Sequence, residues 1–492
     1  MHFIETNPFA HLSPTARGRY DCTSSEPAMP YRVPPAPSRT ERSRPLARRP
    51  RHGTLSRFAL LASAFVMFIV LASLIALLQP GLHAQSVTPV TRTGGTSAQF
   101  VRTVTAATKA GRPDSSDAAQ ASPLPAWVPR TGSAAWVPVL LGTQVNVITQ
   151  HLARSTAPYL GPNSLDPQGD TRTSQAYGVY AGVSVSPRLQ GYLDVEMIRG
   201  EGINHATGFA GITNGDVLRQ GSVDLGSGPY VARAFLRYTV PAGGGTDTLQ
   251  RAPDQVPMLM ASRRLEIVAG KAAASDLFDL NRYANTTRQQ FMNWGLFQNT
   301  AWDFAADTRG YSNGVAVSSI TPQSAIRARS FQMPTLANGN TFDPDLRRGR
   351  GDHIELTLNA PGTGTIVRTL AWMNHARMGS YQLALDRAAS ARAAGTADTI
   401  PDVVATDTPG RLKYGFGLNI EQPLADGGET GMFARAGWGD GTNESFAFTE
   451  VDRHVSAGLQ VSGTHWGRSA DRAAIALLQH GNAIPAPTAT AT

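Results

Sequence analysis

Arginine and carboxylate side chains recur at alternate positions in several short segments of this chain, and that spacing limits the chemistry on offer. Arg233 and Arg237 share one parity in 230–240, opposite Ala232, Ala234, Leu236 and Tyr238. Arg327 and Arg329 do the same in 324–333, and Arg435 opposes Ala434, Ala436 and Trp438. Asp194, Glu196, Glu355, Lys413, Asn419 and Glu421 sit on the polar rows of their own segments. A guanidinium presents several donors in a fixed fork, and carboxylates and amides accept. A wall that mixes both signs suits a neutral polar solute better than an ion, for which one sign should dominate. The alternative is that these charges pair with one another and only stiffen the wall. The stretch 271–309 adds Phe291, Trp294, Phe297 and Trp302. Trp294 and Trp302 offer flat faces for stacking on a ring. The plainer reading makes them anchors of the stretch, or residues of a membrane-interface girdle.

Other chemistry finds little support. His151, His205, His353, His375, His454 and His465 are scattered without metal-ligand spacing. Asp276, Asp279, Asp303 and Asp307 lack the spacing of a calcium loop. No phosphate-binding glycine loop, nucleophile elbow or zinc-protease helix occurs. The expectation is a protein without catalysis, cofactor or bound metal.

The elements that position these residues have period two. In Arg188–Met197, Leu189, Leu193, Val195 and Met197 share a face opposite Gln190, Tyr192, Asp194 and Glu196. In Arg411–Glu421, Leu412, Tyr414, Phe416, Leu418 and Ile420 oppose Arg411, Lys413, Asn419 and Glu421. Such alternation marks strands with two unlike faces. Thirteen can be read: 139–149, 175–185, 188–197, 230–240, 264–270, 310–320, 324–333, 353–359, 365–374, 411–421, 431–438, 454–462 and 472–480. The gaps between them alternate short and long, except that 241–263 is long on the short side. An up-and-down barrel in an outer membrane leaves this rhythm, with tight turns in the periplasm and long loops outside. An odd count puts the two chain ends on opposite sides of the membrane, where bacterial barrels normally have an even number, so either one strand is missed in this count or the closing strands are absent.

The formal charge of +8 is unevenly spread. Residues 1–84 hold ten Arg, no Lys and four acidic residues, and the remainder holds 34 basic and 32 acidic groups. A nearly neutral folded part speaks against a nucleic-acid partner. Residues 58–78 form an apolar run behind Arg48, Arg49, Arg51 and Arg57, and Leu82-His83-Ala84 follows. This pattern predicts an export signal cleaved after Ala84, with an uncleaved anchor helix as the alternative. The single cysteine, Cys22, lies in that leader. Residues 85–133 read as a disordered lead, 134–481 as the barrel and 482–492 as an unstructured tail. With no second long apolar run, a membrane-embedded mature part must be a β-barrel.

The stretch 271–334 is the most distinctive. It contains "FMNWGLFQNTAWDFAADTRGY" at 291–311, preceded by Gly270-Lys271 with Asp276, Asp279, Asn281 and Tyr283, and followed by "SFQMPTLANG" at 330–339. Further pieces are "GFAGITNGDVLR" at 208–219, "RGRGDHIE" at 348–355, "NHARMGSY" at 374–381, "KYGFGLNIEQPL" at 413–424 and "ESFAFTEVDR" at 444–453. Together these resemble the bacterial carbohydrate-selective porins. The resemblance implies an all-β outer-membrane barrel of about sixteen antiparallel strands, passing small sugars by diffusion. It also implies further strands after the region matching 472–480. Partners expected on this reading are small sugars, outer-membrane lipids and the barrel-assembly machinery, with a homo-oligomer compatible. Two rival expectations stand beside it: a periplasmic β-rich protein held by the 58–78 helix, and a truncated barrel without transport.

Overall fold

The computed structural model describes residues 139–156, 165–217, 228–396, 400–447, 449 and 451–482. The leader with its 58–78 helix, the cleavage point after Ala84, the 85–133 lead and nearly all of the 482–492 tail lie outside the described residues.

All thirteen strands read from the sequence form, most of them a few residues longer than expected. In chain order they are β1 (Val139–Leu152), β2 (Asp170–Ser186), β3 (Leu189–Gly200) and β4 (Tyr230–Pro241). A small pair, β5 (Thr246–Leu249) and β6 (Met258–Ala261), follows within the long exception. Then come β7 (Arg264–Ala272), β8 (Ser312–Ile320), β9 (Ser324–Gln332), β10 (Arg350–Asn359) and β11 (Ile366–Met378). The series ends with β12 (Thr408–Ala425), β13 (Thr430–Gly439), β14 (Arg453–Ser462) and β15 (Arg472–Gly481). Apart from β5 and β6, each strand pairs antiparallel with its neighbours in sequence, giving one 13-stranded up-and-down sheet. Its edges are β1 and β15; among the described residues no ladder joins them.

A flat sheet of this width would measure roughly 58 Å across at the usual strand spacing. Yet one loop, between β7 and β8, touches most of it. Arg288 Nη1 donates to Gln144 of β1 at 2.7 Å, while Thr300 hydrogen-bonds His480 of β15 at 2.9 Å. The sheet therefore curls around this loop.

Exposure settles which face is which. The apolar rows point outward: Val179, Leu193, Leu236, Val315, Leu358, Phe416, Leu418 and Val455 are all exposed. The polar rows point inward: Asp194, Arg327, Arg329, Glu355, Lys413, Asn419, Glu421 and Arg435 are buried. A water-soluble β protein has the reverse arrangement. An apolar outer band with a polar interior is that of a barrel in lipid. Tyr414, Phe416 and Trp438 form an outward aromatic cluster, with Phe416 stacked 6.0 Å from Trp438. They lie toward the long-loop end, where a barrel carries an aromatic girdle. No helix among the described residues is long and apolar enough to cross a membrane.

One departure from strict alternation matters. Asp194 pairs with Arg233, but the next register step pairs Val195 with Val231. Ala232 is thus an extra residue, a bulge, and it is buried beside Arg233 rather than on the outward row expected for it.

Candidate functional site

The β7–β8 connection, 273–311, fills much of the interior, and polar wall residues hold it there. Arg435 Nε donates to Asp279 Oδ1 at 3.1 Å, and its Nη2 donates to the carbonyls of Asp279 and Ala284 at 3.0 and 2.7 Å. Asn419 Nδ2 donates to Asp279 Oδ1 at 2.6 Å and its Oδ1 accepts from Asn281 at 2.7 Å. Glu355 accepts the backbone N–H of Asp279 at 2.7 Å, and Glu421 that of Arg282 at 2.6 Å. Lys413 Nζ lies 3.4 Å from Asp303 and is fully buried. Five residues read from the sequence as wall groups are thus committed to the loop: Glu355, Lys413, Asn419, Glu421 and Arg435. Arg327 donates to Thr357 at 3.0 Å and stands 3.7 Å from Glu355, so it too is tied into this network.

Four others line open space. A cavity of about 360 Å³ is bordered by Asp194, Glu196, Arg233 and Arg237 from the wall. That volume falls in the range of small-molecule sites, roughly 300–1,000 Å³. Arg233 donates to Asp276 through Nε and Nη2, both at 2.8 Å, and lies 3.4 Å from Asp194. Burial alone would raise the Asp276 carboxyl, but the Arg233 guanidinium overrides it and holds the group below the usual range. Tyr311 donates to Glu196 at 2.6 Å, and Arg288 binds Asp216 in a fork, with contacts of 2.9 and 2.7 Å. Tyr180, Phe235, Phe297 and Tyr311 supply the aromatic lining.

Neither indole lines that cavity, although Trp294 borders a smaller one of about 160 Å³ beside Arg233 and Tyr311. Trp294 is buried against Ile212 and Phe297, and its Nε1 donates to Gln298 at 2.9 Å. Trp302 is fully buried, with Phe304 at 4.9 Å and Phe278 at 6.2 Å between ring centres. Both indoles have the geometry of loop anchors. Sequence reasoning passed over Arg288, Asp216, Tyr311 and Asp254 as lining groups. Three of these four lie in connections with no period to read, and Tyr311 stands where a connection enters β8.

Residues 246–482 match the family model described as carbohydrate-selective porin, OprB family. Over that stretch the chain is similar to the carbohydrate-selective porins. The match spans the β5–β6 hairpin and every strand from β7 onward, whereas the resemblance in the sequence pieces runs from about residue 140. The role of this barrel is that of an outer-membrane porin. Among solved structures, the chain is similar to Pseudomonas putida OprB, at 13% identity over 69% of this chain and 74% of that one, with a TM-score of 0.45. It is also similar to Pseudomonas aeruginosa OccD3 (OpdP), at 10% identity over 70% and 71%, with a TM-score of 0.29. No curated protein matches the chain.

Proposed function

We propose that this porin lets small neutral carbohydrates diffuse across the outer membrane through a lumen whose contact groups are Arg233, Arg237, Asp194 and Glu196. The observation that carries the reading is the cavity that gathers these four from β3 and β4. Forked donors, carboxylate acceptors and aromatic faces at one place match what a sugar offers: hydroxyls on its edge and a weakly apolar ring face. Opposite signs side by side disfavour a pore specialised for one kind of ion. The network through Arg435, Asn419, Glu355 and Glu421 supports the reading by fixing the loop that borders the cavity. On this proposal the outward apolar rows meet outer-membrane lipid, and insertion uses the barrel-assembly machinery after export and cleavage at Ala84.

The test is solute entry into liposomes carrying the purified protein. Glucose should enter faster than an amino acid of similar size. Equal rates would remove the carbohydrate preference, and no entry of either would remove the pore.

A further inference from the structure

The connection between β4 and β7 lies on the short-turn side, yet it carries an ordered hairpin that rises into the barrel. Its strands pair from Thr246 with Ala261 to Leu249 with Met258. The base is pinned by Arg264, which donates to Asp247 at 3.2 Å and to the Ala261 carbonyl at 3.1 Å. The tip, 250–257, closes through a bridge between Ala252 and Gln255.

That tip is anchored inside the wall. Val256 is wholly buried, packed in one cluster with the inward residues Leu140, Tyr180, Tyr192, Phe235 and Val268. Its N–H donates to Tyr192 Oη at 3.2 Å. Gly182 on β2 leaves it room, since a Cβ there would come within 3.2 Å of Val256. Two neighbours then reach the arginines assigned to solute. Asp254 Oδ2 stands 3.3 Å from Arg233 Nε. Gln255 Oε1 accepts from Arg237 Nη1 at 2.9 Å, and the Asp254 carbonyl accepts from Arg237 Nη2 at 3.4 Å.

We infer that the β5–β6 hairpin is a selectivity element of the pore, inserted from the turn side, with Asp254 ion-paired to Arg233 and with Gln255 and the Asp254 carbonyl occupying donors of Arg237. The inference rests on the porin reading and goes beyond it. Asp254, Gln255 and the Val256-anchored backbone narrow the same cavity that the wall lines. A solute that binds Arg237 must exchange its hydroxyl for the Gln255 carbonyl. Exchange of one hydrogen bond for another is nearly neutral, so binding stays weak and release stays fast.

Deleting Thr246–Ala261 tests this, and the ends are already adjacent because Ser262 N donates to the Gly245 carbonyl at 2.9 Å. Folded variants are identified by heat-modifiable migration on gels. Single-channel conductance in planar bilayers should rise at least about twofold, and a disaccharide should gain on glucose in liposome entry. Val256→Asp, which keeps the chain length but cannot seat the tip, should move both readouts the same way and decides the matter if the deletion does not fold. Folded variants with wild-type conductance and wild-type size discrimination overturn the inference. If neither wild type nor either variant conducts, the porin reading falls and takes this one with it.

Discussion

Arg435 and Asp279 form a buried ion pair, 3.1 Å from Nε to Oδ1, between wall strand β13 and the loop that occupies the lumen. Neither partner has water to fall back on: both side chains are within 5% of full burial. The pair therefore sets where the loop stands, and through the loop how much of the interior stays open.

Replacing Arg435 with Met should release that loop. The change strips donors from Asp279 and from the carbonyls of Ala284 and Leu296. Breaking one side of a buried pair costs about 3–5 kcal/mol. The temperature at which the folded band converts on a gel should fall, and bilayer conductance should rise and become noisy. Unchanged conductance at lowered stability would mean that the loop keeps its place without this tie.

Gly437→Ala acts on the same loop by volume. A Cβ at Gly437 would overlap the side-chain amide of Asn299. That amide caps the Ala301 N–H at 3.0 Å, so the loop must shift. Overpacking of this kind costs about 1–3 kcal/mol. Gly191→Ala is the control, because its Cβ would meet only Leu236 at an ordinary 3.5 Å. Thermal conversion should drop for the first variant and hold for the second; equal behaviour would count against the packing argument.

The long loop 440–452 carries a pH dependence. Burial is the main cause that raises the Glu444 carboxyl from 4.5 to about 7, although the Gly379 N–H it accepts at 3.0 Å pulls the other way. The folded loop thus holds a proton that the unfolded loop releases. Its order is greatest below about pH 4.5 and declines as pH rises through about 7. Hydrogen exchange at 440–452 should quicken between pH 5 and pH 8, relative to the β12–β13 ladder. Glu444→Gln should flatten that change, and a profile as steep as wild type would assign it to another group.

Legibility in the sequence followed periodicity. Leu412 to Ile420 alternate with Lys413 to Glu421, so both the strand and its two faces could be read, and exposure then assigned the faces to lipid and lumen. β5 and β6 could not be read this way. Met258–Ala261 is apolar throughout, and four residues are too few to show a period. The division of labour among the polar residues was also hidden. Arg237 and Arg435 look alike on their strands, but one meets a cavity and the other meets Asp279. That difference is made by where the 273–311 loop folds, through contacts between residues more than a hundred positions apart. The surroundings of the indoles were hidden for a related reason: Trp302 sits in a loop, yet the barrel interior gives that loop its own buried core with Phe278 and Phe304.

Charge placed on the outward row should measure the lipid directly. Leu418 lies near the middle of β12 and is exposed, while Tyr414 lies nearer its long-loop end within the aromatic cluster. In a barrel seated in a bilayer, Leu418→Arg should cost about 2–4 kcal/mol, and an Arg nearer the interface about 0–1 kcal/mol. Urea titration of folding into lipid vesicles would read both, with Tyr414→Arg as the second variant and its lost ring contacts calibrated by Tyr414→Ala. A soluble protein predicts no such gradient, because water would meet the two positions alike. Equal costs after calibration would therefore sink the assignment of the apolar row to lipid, and with it the assignment of Arg233 and Arg237 to a lumen.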